Sequence, residues 1–432
     1  MDEAVRLLSE YIALDTSNPP GNEDRATAFF AEILGAGGIP YRTYEAAPGR
    51  ASIRAVIPGS GQKAPLLLLN HTDVVAANPD EWTFDPFGGK VSDGYVHGRG
   101  ALDMKGIGVM QLMAFLALAR SGATPNRDVI FAATADEEAG GAHGIGWLLD
   151  DHPGDFKAGV VLNEGGFALE GFSPTGPMLL VSPGEKGFCW MRVTAEGKAG
   201  HGSMPAGANA VEKLVRALAR VAGHEPPPRI TPVSAGFFRA LASGLDILAP
   251  YLDDGRDDTL LGLLKSTGLI GIPTLRAMVS DTLSVNTVSG GEKVNVIPSA
   301  AEANIDARLL PGEDPDTFAG MIAGIAGPDV EVHVEGSCPA SVSEWEHEAV
   351  RAIARSAAKR LPDATLAPFL MPGTSDSRFF RARGIPSYGL CPAVIANEEV
   401  GTIHGADERI SEDNLRLGVR VYGDVVQDLC GL

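Results

Sequence analysis

PLLLLNHTDVV, residues 65–75, decides how the chain is built. Four consecutive leucines without alternation are the pattern of a strand covered on both faces, as in the middle of a parallel sheet. Two polar residues, His71 and Asp73, follow at its carboxyl end, the edge where open α/β sheets bind ligands. Upstream, apolar periodicity predicts amphipathic helices over about 2–14 and 22–36 and a short strand near 51–57. Downstream, a helix over 105–122 leads to strand DVIFAATA (128–135), a helical stretch and strand GVVLNE (159–164). That alternation is α/β with a mostly parallel sheet.

The pattern changes near residue 185. EKGFCWMRVTAEG (185–197) alternates like a half-exposed strand, and NAVEKLVRALARVAG (209–223) is an amphipathic helix. DTLSVNTVSGG and AEANIDARLL read as strands, DPDTFAGMIAGIAG as a helix and DVEVHVEG as a last strand. This β-α-β-β-α-β order is the ferredoxin-like, split βαβ unit. A mostly helical insertion, about 226–280, opens with EPPPR between its first helix and second strand. From about 337 the α/β pattern resumes, so a small α+β domain, 185–336, is inserted into a larger one, 1–184 and 337–432.

Composition narrows the function. A net charge of -20, from 35 basic and 55 acidic residues without a basic run, argues against nucleic acid and anionic membrane as partners. The acidic start, MDEAVRLLSEYIALD, is not a secretion signal, and no apolar run approaches the ~20 residues of a membrane helix. Cys189, Cys338, Cys391 and Cys430 are scattered with no CxxC, as in a reduced, cytoplasmic protein without a zinc knuckle. GRGALDMKG has close glycines but neither GxGxxG nor a Walker lysine pattern.

The larger domain repeats one arrangement, a polar residue just after an apolar strand. His71 and Asp73 do so in LLLLNHTDVV, Glu137 and Glu138 in ADEEAGG, and Glu164 in VLNEGG. Asp103 precedes a glycine and a helix in HGRGALDMKG, and His404 lies in GTIHGADE. Alone, each such acid reads as a helix cap and each histidine as a satisfied polar residue. Together at neighbouring strand ends they form an anionic cluster, which needs cations. A His, Asp and Glu set without cysteine suits two borderline divalent ions such as zinc, cobalt or manganese.

HTDVV, GRGALDMKG, ADEEAGG, LNEGG, AGHGSMP and a late IHG, in that order, resemble the zinc metallopeptidases that include aminoacylase, carboxypeptidase S and succinyl-diaminopimelate desuccinylase. The resemblance implies two zinc ions, with His71 and Glu164 on one, Glu138 and His404 on the other, and Asp103 bridging. It makes Asp73 the holder of the His71 tautomer and Glu137 the general base. The larger domain becomes the catalytic domain and the smaller one a lid that also carries a homodimer contact. His201 of AGHGSMP becomes the lid histidine delivered to the developing oxyanion. Arg308 and Arg378 are candidates for a substrate carboxylate, which arginine binds bidentately, with Arg378 first and Asn286 as a further lid contact. His97, His143, His152, His224, His333 and His347 match no ligand motif and read as structural.

The expected activity is hydrolysis of an amide next to a free carboxylate, in an N-acyl amino acid or short peptide. A dipeptidase, a desuccinylase or a metal-binding relative without catalysis are the alternatives. The last would need neither Glu137 nor His201, and the insertion makes the lid larger than a desuccinylase's.

Overall fold

The computed structural model describes residues 2–173, 175–205, 207, 209–242 and 257–432. Strand Leu66–His71 is buried along its whole length and pairs in parallel with Val129–Thr134 on one side and Val160–Asn163 on the other. From this centre the sheet extends to eleven strands. Arg50–Ile57 and Tyr41–Ala47 add antiparallel beyond Val129–Thr134. On the other flank Ser387–Gly389 joins Val160–Asn163 in parallel and Gly176–Glu185 antiparallel. The sheet is therefore mixed, with its parallel part at the centre. Tyr41–Ala47 was not expected from the sequence, because this exposed edge strand has no apolar alternation to read.

Helix Lys105–Ser121 is apolar nearly all round and covers the sheet, with the C-terminal helix Glu412–Leu429 against it. Gly418 permits that contact, since a Cβ there would stand 2.2 Å from the Met110 sulfur.

A separate antiparallel sheet runs in the order Thr282–Gly290, Ala300–Leu309, Gly187–Glu196, Glu331–Cys338. With helices Ala210–Ala222 and Pro315–Ala326 it forms the split βαβ order and has its own core, including Met191, Leu214, Ile305 and Phe318. The second helix starts where it does because Asp314 accepts the Thr317 N–H at 2.8 Å and Pro315 follows as the first helical residue. Both helices lie on one face. Among the described residues no helix lies on the other face, which carries Phe188, Trp190 and Arg308.

The helical insertion departs from expectation. Part of it, 243–256, lies outside the described residues. Its described helices, Pro232–Ala242, Asp257–Ser266 and Pro273–Val279, send Phe237, Phe238, Leu263, Leu264 and Met278 into the core of the large sheet. Pro232–Ala242 and Pro273–Val279 pack on strand Thr365–Met371, so the described helices of the insertion join the larger domain's core. Among the described residues no helix is long and apolar enough to cross a membrane.

Candidate metal centre and active site

The carboxyl ends of the central strands bring the predicted cluster together. His71 is the last residue of its strand, Glu164 follows Val160–Asn163, and Glu137 and Glu138 follow Val129–Thr134. Asp103 stands between two imidazoles. Its Oδ1 is 3.2 Å from His71 Nε2 and its Oδ2 is 3.1 Å from His404 Nε2. Glu164 lies 3.7 Å from His71 Nε2, and Glu138 3.5 Å from His404 Nε2. Distance also groups Glu137 with His71 and Glu164, and Glu138 with His71 and Asp103, each set within 4.8 Å. Proximity alone does not separate Glu137 from the ligand candidates.

The turn that presents Glu137 and Glu138 is a single 3-10 turn. Asp136 enters it with a left-handed φ of 73°. Its carboxylate accepts the His143 N–H at 2.7 Å and Asn18 Nδ2 at 3.2 Å, and also meets Arg50. Such a conformation persists only where its surroundings hold it.

Asp73 is fully buried beside His71, but its main chain makes the closer contact. His71 Nδ1 is 2.9 Å from the Asp73 carbonyl oxygen and 3.5 Å from its carboxylate. A carbonyl only accepts, so Nδ1 carries hydrogen and a neutral His71 turns its Nε2 lone pair to the cluster. The Asp73 carboxylate instead accepts the N–H groups of Glu137 and Glu138, both at 3.1 Å, and Asn18 Nδ2 at 2.8 Å.

Sequence reasoning missed two further supports. Asn18 joins Asp73 to Asp136. Glu408, fully buried, accepts from Arg99 Nη1 at 2.7 Å and from the N–H groups of Gly100, Leu102 and Asp103 at 2.9, 2.7 and 3.1 Å. Burial pushes its carboxyl up, while Arg99 and the three N–H groups draw it down. Only the position of Glu408, four residues after His404, hinted at this role.

The electrostatics describe a site built for cations. Burial, with Asp103 next, pushes Glu164 up to about 8, and burial with the Glu164 charge pushes Glu137 well up. Asp103 and Glu138 raise His404 to about 10. Burial opposes a charge on His71, but Glu164, Asp103 and Asp73 still raise it well above its ordinary value. Protons thus offset charge that the four carboxylates cannot shed into water. Glu138 Oε1 is buried without a hydrogen-bond partner. All donors are nitrogen and oxygen, and the set fits divalent ions of the zinc, cobalt and manganese kind.

Asp103, Glu137, Glu138, Glu164 and His404 line a cavity of about 690 Å³ together with Phe188, Trp190 and Arg308 of the four-stranded sheet. Arg308 and Arg378 both line it. Arg378 is no surface ion pair: it is buried, donates to Ser375 O at 2.9 Å and Gly140 O at 2.8 Å, and stacks on Phe379. Arg308 pairs with Asp306 at 2.8 Å. Asp376, two residues before Arg378, is buried and pushed up to about 7 by that burial, close to Thr134 Oγ1. The GTSDSR stretch signalled only its arginine.

His201 and Asn286 do not line this cavity in their own chain. His201 is exposed in a two-residue strand paired with Val296–Ile297, its Nδ1 2.8 Å from Ser203 Oγ. Asn286 is exposed on the edge strand Thr282–Gly290.

The family model described as peptidase family M20/M25/M40 matches residues 67–428. Aminoacylase-1 of Homo sapiens is 29% identical over 430 residues, covering 97% of this chain and 93% of that protein. Probable carboxypeptidase S-like 2 of Dictyostelium discoideum is 28% identical over 375 residues, covering 84% and 71%. The crystal structure of the M20 family metallo-carboxypeptidase Sso-CP2 from Sulfolobus solfataricus superposes with a TM-score of 0.76 at 20% identity, covering 100% of each chain, which is a likeness of fold. With the family model spanning most of its length, this chain belongs to peptidase family M20/M25/M40 and is a hydrolase.

Proposed function

We propose that the protein hydrolyses an amide bond next to a free carboxylate, as an N-acyl amino acid deacylase or a carboxypeptidase-like peptidase, with two zinc ions and Glu137 as general base. One observation carries the reading: the two oxygens of Asp103 face two histidine Nε2 atoms, at 3.2 and 3.1 Å. In this reading His71 and Glu164 would hold one ion and His404 and Glu138 the other, with Asp103 available to both. Cobalt or manganese suits the same donors. Bound there, the ion pair supplies Lewis-acid polarisation of the scissile carbonyl and acidifies water. Glu137 takes the proton of the attacking water and returns it to the departing amine. Arg378, ahead of Arg308, receives the substrate carboxylate. The relatives named aminoacylase-1 and carboxypeptidase S-like support this substrate class.

His201 and Asn286 then serve the site of a second copy, since both lie outside their own cavity. That supports a homodimer through the lid, 185–336, with 1–184 and 337–432 as the catalytic domain. The largely exposed edge strand Thr282–Gly290 offers unpaired backbone for such a contact. Four unpaired cysteines, three of them buried, suit a reducing, cytoplasmic setting.

The test is metal content after reloading, together with hydrolysis of N-acyl amino acids, dipeptides and succinyl-diaminopimelate. More than one metal equivalent with turnover of N-acyl amino acids or C-terminal peptide bonds is expected. Turnover confined to dipeptides or to the succinyl substrate would redirect the assignment. Metal binding without any turnover would leave a binding protein.

A further inference from the structure

The four-stranded sheet lends the cavity two aromatic side chains, Phe188 and Trp190, beside Arg308, Glu335, Gly336 and Ser337, and the hydrolysis just described does not use the aromatic pair. Phe188 and Trp190 stand two residues apart on strand Gly187–Glu196, so they share a face. Cys189 and Met191 alternate with them into the core beneath the helices. The Phe188 and Trp190 rings lie with centroids 4.6 Å apart at 32°, and Trp190 is 45% exposed. A large exposed aromatic beside a polar cluster is informative where a scattered surface leucine is not.

The neighbouring strands leave the rings uncovered at Gly336 and set the charged Arg308 and Glu335 around them. Gly336 is the register partner of Trp190. A Cβ at Gly336 would stand 3.4 Å from the Trp190 ring and 3.8 Å from that of Phe188, so a longer side chain would cover both. Arg308 is the register partner of Phe188 and lines the same cavity. An aromatic platform therefore shares one cavity with Arg308 and with the cluster that includes Glu137 and His404.

We infer that Phe188 and Trp190 seat an apolar arm of the substrate and select anionic amides carrying a long aliphatic or aromatic group over short polar ones. The inference rests on the proposed hydrolysis for its substrate. The arm belongs either to the acyl group or to the amino-acid side chain, which share one chemistry and are varied separately below.

The experiment is calorimetric binding to zinc-loaded Glu137→Gln protein. One series lengthens the acyl chain of a single amino acid from acetyl to octanoyl. The other holds N-acetyl constant and lengthens an unbranched side chain. Along at least one series, affinity should rise about two- to fourfold per methylene, as apolar burial requires. Trp190→Ala, which opens no core because the indole is half exposed, should flatten that slope and keep affinity for N-acetylalanine within about threefold. Gly336→Leu should stop the rise at a shorter chain by covering the platform instead of deleting it. Flat wild-type slopes in both series, or slopes untouched by both Trp190→Ala and Phe188→Ala, overturn the inference. Turnover of the same compounds by protein with Glu137 intact reads the hydrolysis independently. A binding slope without turnover would remove the hydrolysis and leave the platform.

Discussion

Glu408→Gln probes how the centre is held. The fully buried Glu408 carboxylate accepts from Arg99 and from the Gly100, Leu102 and Asp103 N–H groups at 2.7–3.1 Å. Arg99 also donates to Gly405 O at 2.8 Å, one residue beyond His404. One ion pair therefore ties the loop of Asp103 to the loop of His404. The amide keeps the shape, turns an NH₂ group toward donors, and strands Arg99, which is 2% exposed. Breaking a buried pair costs ~3–5 kcal/mol, and one stranded N–H ~1–3 kcal/mol. The low ends sum to ~4 kcal/mol, less than the ~5–15 kcal/mol of a folded domain, so the variant should fold. Denaturant unfolding of metal-free protein should show that loss, and chelator competition should show metal affinity down ~10- to 100-fold. Arg99→Gln with Glu408→Gln should recover most of the stability, because no charge stays buried alone. A single variant within ~1 kcal/mol of the parent, with unchanged metal affinity, would refute the reasoning.

Glu137→Gln should keep metal and lose turnover ~100- to 10,000-fold, while Glu138→Gln should weaken metal binding; exchanged phenotypes would reverse their roles. Glu164 is raised from 4.5 to about 8 and His404 from 6.5 to about 10, while buried Lys105 and Lys186 are lowered from 10.5 only to about 7 and about 8, so between about 4.5 and 7 the native chain binds more protons than the unfolded one. Metal-free stability should then fall as pH rises through that window, and zinc binding should release protons; a denaturation midpoint in chelator that climbs with pH would contradict this. Arg378→Ala should raise KM for substrates with a free carboxylate more than for their amides, whereas equal losses would make its bonds to Gly140 and Ser375 its whole role and move attention to Arg308. Mixing Glu137→Ala with His201→Ala chains should restore about a quarter of the parental activity if His201 acts across a symmetric dimer, and none, despite proven exchange, if it does not.

The sequence by itself determined the elements and the order of the chemistry. Apolar runs and periodicities placed the central strands, the split βαβ unit and its helices, because burial on one or both faces is written into neighbouring residues. A polar residue directly after an apolar strand is an equally local signal, and it picked out His71, Glu137, Glu138 and Glu164, while Asp103 and His404 came from their motifs; the structure brings all six together. What only the tertiary structure decided depends on partners far apart in the chain. The insertion helices show in sequence that they have an apolar face, but not that this face packs on strand Thr365–Met371. Glu408 meets the Asp103 N–H from 305 residues away and Asn18 meets Asp73 from 55, and no local pattern encodes such distances. The Asp73 main chain, not its carboxylate, makes the close contact with His71, because a turn's backbone path is fixed by what surrounds it. His201 sits in a recognisable motif, yet its place outside its own cavity follows from how the four-stranded unit is oriented, and residue types carry no record of orientation.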